Sequence, residues 1–253
     1  MFKEYFLLLL LAHIIGDFYL QTDFIAEKKR RQFKWTIFHC LYYGLTVLAI
    51  SLPVISRPVV LFGGLAALVH MFIDMIKYPY VFRKREKGKF TPVLERNIFY
   101  LDQLLHLASL ILIAYLFAAR RHGLSLHDPA AHFLETVDVS AAALLSWAVV
   151  LLAAHKPVNI AITRLLTLYK SESEEDDALV EDKRAGRFIG TLERVIILIL
   201  IALKQYAAIG LVLTAKSIAR YDRIAKDPIF SEYYLIGTLL STLGAIALSF
   251  LHY

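Results

Sequence analysis

Residues 57–78 read Arg57-Pro-Val-Val-Leu-Phe-Gly-Gly-Leu-Ala-Ala-Leu-Val-His70-Met-Phe-Ile-Asp74-Met-Ile-Lys77-Tyr78. Between Pro58 and Tyr78 only His70, Asp74 and Lys77 carry ionisable groups. As a helix rising about 1.5 Å per residue, such a run crosses a hydrocarbon core about 30 Å thick. Six further stretches repeat the pattern, at about 5–22, 36–52, 97–118, 138–155, 190–213 and 232–251. The first of them carries His13 and Asp17 and lacks a small-residue cleavage site, so it reads as a retained span. The chain is therefore expected to be all-α, a polytopic transmembrane helical bundle of about seven spans, with six to eight possible.

Composition agrees with this reading. Of 253 residues, 58% are apolar and 20% charged, against about 45–50% and about 25% in soluble domains. The mean hydropathy is +0.57. The single cysteine, Cys40, excludes an internal disulfide and a thiolate metal cage within one chain. A net charge of +6 is compatible with nucleic acid, but there is no aromatic-basic module to bind it, and basic loops of a membrane protein set topology.

Those loops orient the bundle. Lys28, Lys29, Arg30, Arg31 and Lys34 lie in the first connection, and Arg83, Lys84, Arg85, Lys87 and Lys89 in the third. Both are expected on the cytoplasmic side, with the N-terminus outside. The expected parts are a four-span unit over 1–118, an external loop over 119–137 and a C-terminal membrane unit over 138–253. Within the last, Ile160–Leu166 reads as a surface helix, with a cytoplasmic acidic loop near 171–185 that holds the run Glu172 to Asp177. Lys204 and Gln205 interrupt the sixth stretch, which points to a broken or re-entrant helix. Tyr42, Tyr43, Tyr78, Tyr80, Tyr233 and Tyr234 near span ends fit an interfacial belt.

An Asp at a span centre costs about 2.5–3.5 kcal/mol on insertion scales, so each needs a reason. Here they come as pairs four residues apart: His13 with Asp17, His70 with Asp74, and Asp102 with His106. That spacing puts both side chains on one helical face. The first and third spans run inward and read His-x-x-x-Asp; the fourth runs outward and reads Asp-x-x-x-His. All three carboxylates therefore share one depth near the cytoplasmic face, with the imidazoles about 6 Å deeper. His39 begins the second span at the same side.

Four histidines and three carboxylates suit a divalent metal such as zinc, iron or manganese. His70, Asp74, Asp102 and His106 are the expected core ligands, with His13, Asp17 and His39 as further ligands or proton carriers. Asp17, Asp74 and Asp102 are the candidate catalytic groups. Gln21 and Gln103 would orient ligands or water. Lys77 would hold an anionic substrate or pair with Asp74. In the C-terminal half, Glu193, Arg194, Lys216, Ser217 and Arg220 form a second candidate cluster, for an anion or lipid headgroup. Gly186 and Gly190 allow close backbone approach beside it.

The N-terminal motifs are His13-Ile-Ile-Gly-Asp17-Phe-Tyr-Leu-Gln21, His39, His70-Met-Phe-Ile-Asp74-Met-Ile-Lys77 and Asp102-Gln103-Leu-Leu-His106. With Gly186-Arg-Phe-Ile-Gly-Thr-Leu-Glu193-Arg194, Ala215-Lys216-Ser217 and Glu232-Tyr233, the chain resembles the bacterial membrane family known as domain of unknown function 3307. The resemblance implies a multi-pass protein of the bacterial cytoplasmic (inner) membrane and no activity. The residues themselves lead to a metal-dependent hydrolase working on a lipid, lipid-linked or phosphate-bearing substrate, with membrane lipids as partners. A divalent-cation or proton-coupled transporter is the alternative, and a scaffold or regulator with a structural polar cluster is a further one.

Overall fold

The computed structural model describes residues 1–167 and 178–252. The described residues are helical apart from short connections and contain no strand. The chain divides into two compact units, Met1–Val149 and Val150–Tyr253, with the boundary inside a helix rather than in the expected 119–137 loop.

In the first unit, α1 (Phe2–Ile14) runs into a π-helical segment, Ile15–Leu20. The chain then turns at Gln21 and Thr22 into α2 (Asp23–Arg31), bent by 87° from the segment before it. Thr22 caps α2 by accepting a bond from the Ile25 amide. Next come α3 (Phe33–Ser51), a single 3₁₀ turn, α4 (Arg57–Glu86) and α5 (Pro92–Ala119). The basic tail of α4 stays helical, because Arg and Lys are good helix formers, and stops where Gly88 takes a φ of 62°. The expected external loop holds a short helix, α6 (Asp128–Thr136). His127 ties it to the α3–α4 turn by donating its amide to Pro53 O and placing Nε2 2.9 Å from Ile55 O.

The unit buries a polar cluster in an otherwise apolar interior and exposes large apolar side chains outside. On α4, His70 and Asp74 are each 1% exposed, while Phe72 is 63% and Ile76 58% exposed. That inversion suits helices whose outer faces meet hydrocarbon rather than water. One end of the interior is aromatic: Tyr5 stacks on Phe117 at 3.9 Å and donates to Val59 O. The other end gathers the basic connections. Arg30 pairs with Glu95 at 2.7 Å and Arg85 with Glu27 at 3.3 Å, which pins α2 across the ends of α4 and α5. Arg31 donates to Glu27 and holds its carboxyl below the usual range.

α7 (Ala141–Leu166) carries the chain across the unit boundary. It continues through Pro157, so Ile160–Leu166 is the end of this helix and not a separate surface helix. The second unit goes on with α8 (Ala178–Ala202), α9 (Tyr206–Ile218), α10 (Tyr221–Lys226) and α11 (Pro228–Ser249). The run Glu172 to Asp177 lies outside the described residues; from Ala178 the chain is helical. The sixth stretch is broken at the expected place, where Lys204 has a φ of 58° between α8 and α9. Among the described residues, five helices are long and apolar enough to cross a membrane, or six if the bent pair at the start is one span. The sequence-based expectation is seven; α8, with Glu193 and Arg194 inside it, is not among the five.

Candidate metal centre

All seven expected ligands converge in the first unit. α1 ends on His13, and the wider turn of the π segment places Gly16 and Asp17 on the bundle's inner face. α3 contributes His39 and Tyr43, α4 contributes His70, Asp74 and Lys77, and α5 contributes Asp102, Gln103 and His106. A π-helical turn within an otherwise α-helical span is common at functional sites.

The tightest donor set differs from the expected core. His39 Nε2 lies 3.0 Å from Asp17 Oδ1, 3.4 Å from Asp74 Oδ2 and 3.2 Å from His70 Nε2. His70 Nε2 lies 3.5 Å from Asp17 Oδ1 and 3.6 Å from Asp74 Oδ2. Donors bound to one tetrahedral ion at about 2.0–2.2 Å stand about 3.3–3.6 Å apart, and neighbouring donors of an octahedral ion about 3.0 Å apart. The five distances span that window. Asp17 Oδ1 and Asp74 Oδ2 make no aligned hydrogen bond despite these approaches. The two imidazole nitrogens are hydrogen-bonded to each other, and both carboxylate oxygens lie within 3.6 Å of them.

Asp102 and His106 stand beside this set with other partners. His106 donates Nδ1–H to Asp102 O at 2.8 Å, which fixes the tautomer and leaves Nε2 a lone pair. That nitrogen is buried and has no protein partner. Lys77 Nζ bridges Asp74 Oδ1 and Asp102 Oδ1 at 2.7 Å each. Gln103 spans His13 Nε2 at 3.3 Å and Asp102 Oδ2 at 3.4 Å. His13 reaches Asp17 only at 3.9 Å and stacks on His106. Gln21 accepts from Lys29 rather than touching a ligand. Arg96, six residues before Asp102, donates to Asn97 Oδ1.

Two neighbours escape sequence reasoning. Lys29 belongs to a connection whose charge reads as a topology signal, yet the bend after Leu20 carries its Nζ to 2.5 Å from Asp74 Oδ2. Tyr43 is not an interfacial residue: it is 1% exposed and stacks on His70 with ring centroids 3.6 Å apart. Its spacing of four from His39 puts it on the same inward face. Gly16 makes room for it, since a Cβ there would stand 2.9 Å from Tyr43 Cδ2.

The C-terminal candidates do not assemble into one anion site. Arg194 is buried and structural, because Nε donates to Ala154 O, Nη1 to Ser241 Oγ and Nη2 to Asn159 Oδ1. Lys216 turns inward to Glu193 Oε2 at 2.6 Å and to Thr238 Oγ1 at 3.1 Å. Ser217 donates to Leu213 O, and Arg220 lies in the α9–α10 turn. Gly190 does admit a close neighbour, Arg194 Nη1 at 3.3 Å from its would-be Cβ, whereas nothing approaches Gly186.

The class so defined is an all-helical bundle, apolar outside, around a buried histidine–aspartate centre. Residues 5–134, just over half of the chain, match the family described as protein of unknown function (DUF3307), and the chain belongs to that family. The match covers every residue of the centre. No curated protein and no solved structure matches the chain.

Proposed function

We propose that the chain is a metal-dependent membrane hydrolase that works on a lipid or lipid-linked substrate. The observation that carries this reading is that His39 Nε2 and His70 Nε2 lie 3.2 Å apart and each stands 3.0–3.6 Å from Asp17 Oδ1 and Asp74 Oδ2. Two imidazoles and two carboxylates suit manganese, iron or zinc. Five- or six-coordinate binding leaves a position for water, and such an ion lowers the pKa of its water toward about 7.

The chain's own groups supply the rest. His106 Nε2 is placed to take a proton, since its other nitrogen is committed to a backbone carbonyl. Lys77 holds Asp74 and Asp102 in fixed orientation and offsets one of their two charges. Gln103 keeps His13 and Asp102 in register. The two basic connections meet at the end of the unit nearest the centre, which supports a cytoplasmic mouth and an outside N-terminus. We place the protein in the bacterial cytoplasmic membrane on the family resemblance.

A second reading has its own support. Three carboxylates against the Lys29 and Lys77 ammonium groups leave one net negative charge if the imidazoles are neutral. One proton shared between His39 and Asp17, 3.0 Å apart, would also neutralise the centre, as a structural or proton-handling cluster.

The test uses chelator-washed protein reloaded with manganese, iron or zinc and incubated with extracted membrane lipids, with water-soluble products followed by mass spectrometry. Metal-dependent release that disappears in Asp102→Ala, with helicity and insertion intact, is expected. A well-folded, metal-loaded chain that releases nothing, or an Asp102→Ala chain that turns over normally, overturns the hydrolase.

A further inference from the structure

Charge and exposure around the centre identify what it takes beside the metal. The three carboxylates and two ammonium groups sum to one negative charge, so one divalent ion leaves one positive charge in a buried site. Burying an uncompensated charge is costly. One anion therefore balances the loaded centre, either the hydroxide of the hydrolase reading or a ligand that displaces it.

The place for that anion is visible. Lys29 donates to Gln21 Oε1 and ion-pairs with Asp74 Oδ2 at 2.5 Å. Lys77 donates to Asp102 Oδ1 and ion-pairs with Asp74 Oδ1 at 2.7 Å. An ammonium has three donors, so one aligned hydrogen bond apiece leaves each lysine a donor to offer. Lys77 is the most exposed charged group of the site, its side chain 24% exposed against 11% for Lys29, 9% for Asp102, 8% for Asp17 and 1% for Asp74. A free cation approaching past Lys77 meets an ammonium group, whereas an anion is drawn in.

Resting on the metal reading above, we propose that the centre binds a phosphate group, with its oxygens shared between the divalent ion and the Lys29 and Lys77 ammonium groups. A single negative charge, the state of a phosphodiester, balances the site. Phosphate oxygens satisfy ammonium donors and a hard divalent ion together, and His106 Nε2 lies inward of them as proton acceptor. The source is either a lipid headgroup or a soluble phosphate.

The test is phosphorus-31 relaxation in manganese-loaded, detergent-solubilised protein, with inorganic phosphate and short-chain phosphatidylglycerol as separate probes. Saturable relaxation enhancement is expected for at least one probe. Enhancement with phosphatidylglycerol assigns the headgroup; enhancement with inorganic phosphate alone assigns a soluble ligand. Lys29→Met and Lys77→Met, each measured at saturating manganese, should weaken the probe about tenfold, and Lys77→Arg should retain most of the affinity. If Lys77→Met fails to fold, Lys29→Met on the peripheral α2 decides alone. Unchanged affinity in Lys29→Met, or bound manganese without enhancement from either probe, overturns the phosphate site and leaves the metal site standing. A chain that takes up no metal overturns both.

Discussion

Gly16→Ala is the smallest change that should disturb the centre without touching a ligand. The added methyl would stand 2.9 Å from Tyr43 Cδ2, and that ring stacks on His70 with centroids 3.6 Å apart. A shift of the ring is therefore felt by a ligand. Overpacking of this kind costs about 1–3 kcal/mol, while replacing a helical glycine by alanine returns about 0.5–1 kcal/mol. Thermal stability will therefore move little, and metal affinity is the informative quantity. A displacement of His70 worth about 1.4 kcal/mol is a tenfold loss of affinity. Competition against a chromophoric chelator would measure it, with Tyr43→Leu and Gly16→Ala/Tyr43→Leu completing a double-mutant cycle. The account expects strong coupling, because Gly16→Ala is harmless once the ring is gone. Wild-type affinity in Gly16→Ala, or strict additivity in the cycle, would refute the idea that Gly16 and Tyr43 position His70.

Other consequences follow from the same contacts. Arg194→Met strands Asn159 Oδ1 and Ser241 Oγ in the second unit; at about 1–3 kcal/mol per unsatisfied group, thermal unfolding in detergent should fall clearly while metal content stays at wild type. Lys216→Met leaves the Glu193 carboxylate, 4% exposed, without its cation and should cost about 3–5 kcal/mol. Glu193→Gln/Lys216→Met should be milder than Lys216→Met alone, and an equal or larger loss would count against the buried pair. The Arg31 hydrogen bond depresses the Glu27 carboxyl, so its contribution is present above the unfolded value of about 4.3 and is lost as pH falls through the lower folded value. Trp35, whose ring meets Phe24 of α2 at 5.6 Å, should report that acid transition by fluorescence, and an identical transition in Glu27→Gln would remove Glu27 as its cause.

The polar centre was legible because membrane burial makes ionisable residues expensive and the four-residue spacing fixes a face. His13, Asp17, His70, Asp74, Asp102 and His106 announce themselves that way, and their reversed order on α5 predicts a shared depth. What the spacing could not supply was the ligand order. Asp17 and His39 are drawn into the tightest set by the π-helical turn and by packing of α1 on α3, neither of which leaves a local pattern. Lys29 was hidden for a similar reason: its contact depends on the bend at Gln21 and Thr22, and a basic residue in a loop reads as topology. Tyr43 did leave a signal, four residues after His39, but proximity to a span end outweighed it. In the second half, the break at Lys204 followed from polarity inside an apolar run. Buried Arg194 reads in sequence as a headgroup ligand, but Ala154, Ser241 and Asn159 consume its donors.

The most direct test of the central claim is metal analysis with X-ray absorption on purified protein, comparing wild type with His70→Ala/Asp17→Ala. The account predicts one divalent ion per chain, with nitrogen and oxygen ligands at about 2.0–2.2 Å, lost in the double variant while helicity persists. A well-folded wild type that holds no ion after reloading, or a double variant that keeps it, would contradict the account and leave the shared-proton cluster.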